Sequence, residues 1–183
     1  MPDPLFPVHS TLRDGSTVQL SLADERDVEP LKTLYRKIVE EGNSYPHDRF
    51  PIHDEFMDYW FRGKKTVVAY VPDRKQVPEM AGAFYLKSNW PGRAGHVANA
   101  GFVVAPEWRN KGLGLLLGET MLSYARQLRY RSVIFNLVFS ENLDARRLWE
   151  QLGFRHLGVI PGAVRKNDDT YQDAIIMFRT LET

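Results

Sequence analysis

Apolar residues recur at two different spacings in the first quarter of the chain, and these spacings predict a strand followed by a helix. Residues 16–22 alternate polar and apolar side chains, as in a strand that buries one face. Asp24 is a suitable N-cap for a helix, and Gly42 with Asn43 ends that helix. Its apolar positions fall on one helical face: Val28, Leu31, Leu34, Tyr35, Ile38 and Val39.

The next part of the chain predicts a loop, a short helix and an antiparallel hairpin. Two prolines mark residues 44–52 as a loop, and a short helix follows around the aromatic residues Phe56, Tyr59 and Trp60. Two segments with strand character come next, residues 66–71 and 81–87. A polar connection that contains Pro72 and Pro78 joins them.

The second half of the chain predicts a strand, a helix and a parallel return. Residues 96–105 form a strand that Pro106 stops, and Gly112 opens a helix with a leucine-rich face. Residues 133–139 are almost continuously apolar, which indicates a buried strand reached by a parallel crossover. The remaining predicted elements are a helix at 142–152 and strands at 154–160 and 172–179.

This order of elements predicts one α/β (α+β) domain with a central mixed sheet and helices on its faces. A chain of 183 residues is long enough for one domain with a sizeable core. We assign residues 16–183 to the domain and residues 1–15 to an N-terminal extension. The chain has no cysteine, which excludes a disulfide scaffold, a thiolate zinc site and a cysteine nucleophile.

The charge balance and the termini narrow the class of partner. The 24 basic and 23 acidic residues give a net charge of +1, so no strong field attracts nucleic acid or an anionic membrane. The N-terminus has three prolines in seven residues and no apolar stretch of signal-peptide length. We therefore expect a cytoplasmic protein that binds neither nucleic acid nor membrane, and we expect no metal site.

The turn at residues 103–114 is the strongest chemical signal in the chain. It joins a strand to a helix N-terminus, where free backbone N–H groups and the helix dipole attract an anion. Gly112 and Gly114 let a phosphate approach the backbone, while Arg109 and Lys111 add positive charge at the rim. A nucleotide P-loop would need Gly-Lys-Ser/Thr here, and a dinucleotide fingerprint would need a small residue in place of Leu117. An ordinary glycine-containing turn is the other alternative.

Two motifs in this order resemble the signatures of the GNAT acetyltransferases. The first is Arg109-x-x-Gly112-x-Gly114, and the second is the segment from Asn142 to Phe154 that contains Trp149 and Gly153. The resemblance covers roughly the C-terminal half of the chain. It implies the GNAT fold, with a mixed but mostly antiparallel sheet, and acetyl-CoA as the acetyl donor.

The resemblance also implies which residues bind the donor. The backbone of Phe102, Val103 and Val104 is expected to pair with the pantetheine arm as an extra strand would, and Asn142 is expected to contact the arm further along. The pyrophosphate is expected at Arg109, Asn110, Lys111, Gly112, Leu113 and Gly114. Asn142 is also a suitable helix N-cap.

Position 149 departs from the pattern of the family. Many GNAT enzymes carry a tyrosine there, which is proposed to protonate the departing thiolate of CoA. Trp149 has only a non-acidic indole N–H, so that role does not transfer to this chain.

Two asparagines are candidate catalytic residues because each lies in a strand that is otherwise apolar. Asn136 interrupts the apolar run 133–139, where a buried amide without a partner would cost roughly 1 to 3 kcal/mol. In the GNAT fold the strands that hold Asn99 and Asn136 splay apart to admit the thioester, so both amides are expected to line the reaction cleft. The alternative is that each amide binds a neighbouring backbone group.

The acceptor side carries weaker signals. Tyr45 and Tyr85 are candidate walls of an acceptor pocket, although aromatic residues at such places also form core. His96 and Glu107 are possible bases, and neither is assigned. Together with Tyr45-Pro46, Asn99 and Asn136, the segment 157–162 resembles the fungal acetyltransferases that act on proline analogues such as azetidine-2-carboxylate.

These features predict an N-acetyltransferase that transfers acetyl from acetyl-CoA to the primary or secondary amine of a small molecule, an amino acid or analogue. Without a cysteine to carry an acetyl group, we expect direct attack by the amine in a ternary complex. The alternatives are a protein or peptide N-acetyltransferase and a non-catalytic acyl-CoA-binding module. Homodimers are common among GNAT proteins, and a homodimer is possible here.

Overall fold

The computed structural model describes residues 5–72 and 78–181 of the chain. Residues 73–77 of the predicted hairpin connection lie outside the described residues, as do residues 1–4 of the predicted extension and the last two residues. The described residues contain four α-helices: α1 Val28–Glu41, α2 His53–Trp60, α3 Leu113–Gln127 and α4 Leu143–Gln151. Single 3₁₀ turns occur at Glu25–Asp27, Gly92–Ala94 and Pro106–Trp108.

A single sheet of eight strands runs through the described part of the chain in the order β1-β2-β3-β4-β5-β6-β8-β7. The strands are β1 Val8–Thr11, β2 Thr17–Leu22, β3 Lys65–Val71, β4 Glu79–Ser88, β5 Val97–Val104, β6 Ser132–Phe139, β7 Arg155–Arg165 and β8 Tyr171–Thr180. Only the pair β5 and β6 is parallel within this sheet, and α3 forms the crossover between them. The predicted mixed, mostly antiparallel α/β fold is confirmed.

The first strand differs from the sequence analysis. Residues 8–11 were assigned to an N-terminal extension, but they form β1 and pair with β2 from Val8 opposite Leu20 to Thr11 opposite Thr17. Only Val8 among these four residues is apolar, so the segment carries no readable alternation. Pairing of its backbone with β2 decides its conformation, and the boundary at residue 16 falls within the β1–β2 hairpin.

Strand alternation divides the apolar residues between two cores, one on each face of the sheet. Helices α3 and α4 cover the first core, which contains Phe84 and Ala98 together with Leu117 of α3. Helices α1 and α2 cover the second core, in which Tyr85 and Val103 meet Trp60. Because successive residues of β4 and β5 point to opposite faces, these two strands contribute to both cores.

Strands β5 and β6 separate soon after they begin to pair. Within the described residues their register contains two pairs, Val97 with Ser132 and Ala98 with Val133. The amide of Asn89 donates to the carbonyl of Val97, and that of Ala105 donates to Ala81, so odd-numbered residues of β5 direct their peptide groups toward β4. Alternation then directs the peptide groups of Ala100, Phe102 and Val104 into the gap that opens toward β6.

Four aromatic rings fill the α3 and α4 side of this gap. Trp149 of α4 lies against Phe102 of β5 and Phe135 of β6, with ring centroids 4.7 and 4.6 Å away. Phe154 stacks on Phe135 at 4.5 Å. The rings pack across the two diverging strands, so apolar side chains close the gap on this face of the sheet. We name these four residues the aromatic wedge.

Gly82 allows β4, β5 and α3 to approach one another closely. A Cβ atom at this position would lie 2.8 Å from the carbonyl oxygen of Val103 and 3.1 Å from Leu117 Cδ1. Since backbone cannot yield as a side-chain tip does, Gly82→Ala is expected to lower the free energy of unfolding by roughly 1 to 3 kcal/mol in urea denaturation. Gly158→Ala is the control, because nothing lies within 4 Å of its added Cβ. Equal stability of the two variants would contradict the close approach.

Candidate active site

The turn before α3 has the geometry of an anion site. Gly112 is the N-cap residue of α3 with φ of 93°, and no side chain caps the helix N-terminus. Asn110 has a φ of 61° in the same loop. The first-turn N–H groups of this 15-residue helix therefore remain available at the positive end of the helix dipole. The prediction that Gly112 opens the helix is confirmed, and these groups fit a pyrophosphate.

The two predicted cations of this loop already have acidic partners. Arg109 forms an ion pair with Glu41 at the end of α1, with an N–O distance of 2.7 Å. Lys111 pairs with Asp14 at 3.2 Å, and its ammonium lies 4.2 Å from the centroid of the Trp108 ring. Such partly exposed pairs are worth little, so a phosphate can compete for either cation.

Sequence analysis missed Arg13, which the β1–β2 hairpin brings to this loop. The amide of Arg13 donates to the carbonyl of Lys111 at 3.0 Å. Its side chain passes Gly112, whose added Cβ would lie 3.4 Å from Arg13 Cγ and 3.5 Å from Nε. The sequence of the short strand β1 has no pattern that predicts the contact of Arg13 with Gly112.

Asn99 stands where β5 and β6 begin to diverge. The residue is 9% exposed, and its Nδ2 donates to the carbonyl of Ile134 on β6 at 2.9 Å. The amide nitrogen therefore binds a neighbouring backbone group, which is the alternative that the sequence left open. Oδ1 accepts no hydrogen bond from the described residues. A catalytic role for Asn99 stays a prediction.

Asn136 is not the buried amide that the apolar run indicated. The register of β6 with β8 shifts between Phe135 and Val138, so Asn136 lies at an irregularity of the strand and is exposed. Its Nδ2 donates to Oδ1 of Asn89, which follows β4, at 2.7 Å. Sequence analysis did not single out Asn89. The structure thus places Asn99 and Asn136 on the two strands that flank the gap.

The two predicted pocket tyrosines both reach β5 from the α1 and α2 side. The hydroxyl of Tyr45 donates to the carbonyl of Phe102 at 2.9 Å, which is one of the peptide groups that face the gap. The ring of Tyr85 lies across Gly101, where an added Cβ would be 2.5 Å from Cε1 and 2.9 Å from the hydroxyl oxygen. Only glycine at position 101 accommodates this ring.

Tyr35 and Tyr59 complete a cluster of four tyrosines. Tyr35 packs edge-on against Tyr45 with centroids 5.0 Å apart, and Tyr59 packs edge-on against Tyr85 at 5.6 Å. Burial raises the pKa of Tyr45 and of Tyr85 above the usual value. These two hydroxyls therefore stay protonated and are neutral hydrogen-bonding groups.

Asn142 caps α4 and also bridges to the loop after α1. Its Oδ1 accepts from the amide of Ala145 at 3.1 Å, which confirms the predicted N-cap. Its Nδ2 donates to the carbonyl of Asn43 at 3.3 Å. Contact of Asn142 with the pantetheine arm stays a prediction.

The two possible bases named from the sequence are not brought together. His96 is exposed just before β5 begins, whereas Glu107 lies in the 3₁₀ turn beyond its end and pairs with Lys37 at 3.5 Å. Neither lies beside Asn99 or Gly101 in the middle of the strand. Residues 5–72 and 78–181 hold no cluster of three side chains suited to a metal ion.

Comparison with known proteins identifies the class of protein that has this fold and site. A sequence model of the Acetyltransferase (GNAT) family matches residues 31–154. The chain therefore belongs to the GNAT family of acetyltransferases. N-acetyltransferase aca1 of Schizosaccharomyces pombe is 38% identical over 153 residues, which cover 75% of this chain and 72% of that protein.

Solved structures agree with this assignment. A GCN5-related N-acetyltransferase from Kribbella flavida matches with a TM-score of 0.81 and 30% identity, covering 90% of this chain and 98% of that one. A phosphinothricin acetyltransferase from Sinorhizobium meliloti, solved in complex with acetyl-CoA, has a TM-score of 0.77 and 22% identity, with 90% and 88% covered. The protein is an acetyl-CoA-dependent acyltransferase, and acetyl-CoA is its acetyl donor.

No helix in the described part of the chain is long and apolar enough to cross a membrane.

Replacing Gly112 tests the anion site. Gly112→Asp adds a side chain at a left-handed position and a negative charge beside the uncapped helix N-terminus, so measurable binding of acetyl-CoA is expected to disappear in calorimetry. Gly63→Asp is the matched control, since Gly63 also has a positive φ of 70° but nothing lies within 4 Å of its added Cβ. A folded Gly112→Asp protein with parental affinity would show that the pyrophosphate binds elsewhere.

Proposed function

We propose that this protein transfers acetyl to the primary or secondary amine of a small molecule, an amino acid or an analogue such as a cyclic proline analogue. The observation that carries the proposal is the tyrosine cluster on the acceptor side of the gap. Tyr45 and Tyr85 contact β5 directly, and Tyr35 and Tyr59 pack behind them. We expect an acceptor that binds against these packed rings to be compact rather than an extended chain.

The residues around the gap have the chemistry that such a transfer needs. The amides of Asn99 and Asn136 can hold a carboxylate of the acceptor or polarise the carbonyl that is attacked. The N–H groups of Phe102 and Val104 face the same gap and suit an extended ligand that pairs as a strand does. Acetyl-CoA supplies the acetyl group, and the absence of cysteine from the chain favours direct attack by the acceptor amine.

Two other functions make different demands. A protein or peptide N-acetyltransferase needs an open groove for an extended chain beside the gap. A non-catalytic acyl-CoA-binding module needs only the donor half of the site. The kind of amine that is acetylated distinguishes the peptide enzyme from the proposed function, and the presence of turnover distinguishes the binding module.

A thiol-release screen with acetyl-CoA tests the proposal. The amines are azetidine-2-carboxylate and other proline analogues, common amino acids, polyamines, aminoglycosides and short peptides. We expect turnover with a free amino acid or analogue and none in Gly112→Asp. Turnover confined to peptides would replace the proposal with the peptide enzyme, and donor binding without turnover of any amine would favour the binding module.

Asn99→Ala tests whether this amide acts on the acceptor. The acceptor interaction belongs to the ternary complex, so acetyl-CoA affinity is expected to change little. kcat/KM for the acceptor is expected to fall on the order of 10- to 1,000-fold, as when an orienting or oxyanion-type hydrogen bond is lost. Stability, affinity and kinetics are measured on one preparation, because Asn99 also donates to Ile134.

Tyr70→Phe is the matched control for this measurement. It removes one partly buried hydrogen bond, from Tyr70 to Asp27 at 2.7 Å, outside the gap. The control is expected to lose stability and keep parental kinetics. If Asn99→Ala behaves in the same way, Asn99 is a structural residue and leaves the catalytic set.

A further inference from the structure

The tip of the β1–β2 hairpin is a rigid support for Arg13. The amide of Leu12 donates to Ser16 at 2.8 Å and that of Gly15 donates to Leu12 at 3.0 Å. Asp14 accepts from the amide of Ser16 at 3.0 Å, and Leu12 is buried in the core beneath α3. The backbone at position 13 is therefore held in one place.

Two contacts besides the side chain of Arg13 attach this tip to the loop before α3. The amide of Arg13 donates to the carbonyl of Lys111, and the carboxylate of Asp14 pairs with the ammonium of Lys111. Arg13 then runs along Gly112, the N-cap residue. These contacts place a guanidinium beside the open N-terminus of a 15-residue helix.

Among the described residues, Arg13 differs from its two basic neighbours in having no acidic partner. Arg109 and Lys111 pair with Glu41 and Asp14, whereas Arg13 is exposed and forms no ion pair with the described residues. A guanidinium carries its charge at every working pH and binds phosphate oxygens through two parallel N–H groups. A cation beside free helix N–H groups, without a protein anion to neutralise it, suits a phosphate.

We propose that Arg13 binds phosphate oxygens of acetyl-CoA and that the N-terminal hairpin is thereby part of the donor site. The inference rests on the expected placement of the pyrophosphate at the loop before α3. Arg13 Nε lies beside Gly112, so this placement makes the pyrophosphate the phosphate group of acetyl-CoA that lies nearest to Arg13. The 3′-phosphate of the adenosine is the other source of the same chemistry, and the experiment distinguishes the two.

Calorimetric titration of the whole protein with CoA measures this contact without catalysis. Arg13→Gln keeps the backbone hydrogen bond to Lys111 and is expected to weaken CoA binding on the order of 10-fold. Arg13→Lys is expected to lose less, because it keeps the charge and loses the paired donors. The control is Arg62→Gln. Arg62 is an exposed arginine that follows α2 and pairs with Asp54 and Asp58 of that helix, and the variant is expected to bind CoA as the parent does.

A parallel titration with 3′-dephospho-CoA identifies the phosphate. The same loss in Arg13→Gln with both ligands assigns Arg13 to the pyrophosphate, and a loss confined to CoA assigns it to the 3′-phosphate. Parental affinity for both ligands in a folded Arg13→Gln protein overturns the proposal. Gly112→Asp tests the loop as a whole, because its added side chain meets both the helix N-terminus and Arg13. Loss of binding in Gly112→Asp with parental affinity in Arg13→Gln leaves the pyrophosphate at the loop and removes Arg13 from the site.

A different observation carries a second inference, about the proton that the acceptor amine loses. The hydroxyl of Tyr35 lies 2.7 Å from Nδ1 of His47, a half-buried residue of the loop between α1 and α2. Tyr59 stacks on Tyr35 with ring centroids 5.8 Å apart and packs edge-on against Tyr85 at 5.6 Å. Packed tyrosine rings thus lead from the ring that lies across Gly101 to Tyr35, whose hydroxyl contacts the imidazole of His47.

We infer that His47 is the terminal base of a relay through Tyr85, Tyr59 and Tyr35. As the acceptor amine loses its proton to Tyr85, each hydroxyl passes its own proton to the next oxygen. One proton leaves the amine, one arrives at Nδ1 of His47, and every tyrosine ends as it began. This inference rests on the proposed amine acceptor beside the tyrosine cluster.

The surroundings of His47 suit a base that is neutral near pH 7. Burial lowers the pKa of the imidazole, and the nearby acids oppose this shift in part. The charged and titratable groups that face it are Tyr35, Asp48, Arg49, Glu55 and Tyr59. Protonated His47 cannot accept a proton, so kcat/KM is expected to fall as pH drops through the lowered pKa of His47.

His47→Gln and Tyr35→Phe interrupt the relay at two points. With whichever amine the parent acetylates, each is expected to lower kcat on the order of 10- to 100-fold and to remove the acid limb of the pH profile. Acetyl-CoA affinity is expected to stay unchanged. His53→Gln and Tyr70→Phe are the controls, since His53 contacts Lys32 and Tyr70 contacts Asp27, both outside the cluster. A parental acid limb in His47→Gln overturns the inference even where the acceptor proves to be a peptide.

Discussion

The separation of β5 from β6 after Ala98 is the constraint on which the rest of the site depends. Unpaired backbone groups inside a sheet cost free energy unless another group satisfies them. Here the aromatic wedge packs across the diverging strands on one face. Two side chains donate hydrogen bonds to backbone carbonyls, Tyr45 to that of Phe102 and Asn99 to that of Ile134. The remaining groups of β5 that face the gap have the geometry to pair with an extended ligand.

Helix α3 is the parallel crossover from β5 to β6, so the turn at its N-terminus is linked directly to the strand beside the gap. Its uncapped N-terminus follows the strand whose edge faces the gap, so an anion site and a strand-like edge are continuous along the chain. The net charge of +1 creates no general attraction for CoA. We expect the attraction to be local and to come from the helix dipole together with the basic side chains around Gly112.

The tyrosine cluster beside β5 consists of neutral groups. Burial keeps the tyrosine hydroxyls protonated, so they orient hydrogen bonds without bringing an unpaired charge into the interior. Gly101 makes the arrangement possible by leaving room for the ring of Tyr85 against β5. The turn at Gly112 and the tyrosine cluster therefore differ in character, because basic side chains surround the turn and packed neutral rings form the cluster.

Local pattern determined most of the elements, because alternation, helical spacing, caps and prolines act within a few residues. The hairpin of β3 and β4, the Gly112 N-cap and the Asn142 N-cap were all readable in this way, and the two GNAT motifs indicated the donor. Only the tertiary structure decided the features that depend on residues distant in sequence. Strand β1 needs β2 to define it, the exposure of Asn136 comes from a shift in its pairing with β8, and Arg13 reaches Gly112 through a hairpin nearly 100 residues earlier. Such contacts leave no periodic trace in the chain, since each is set by pairing and packing between segments.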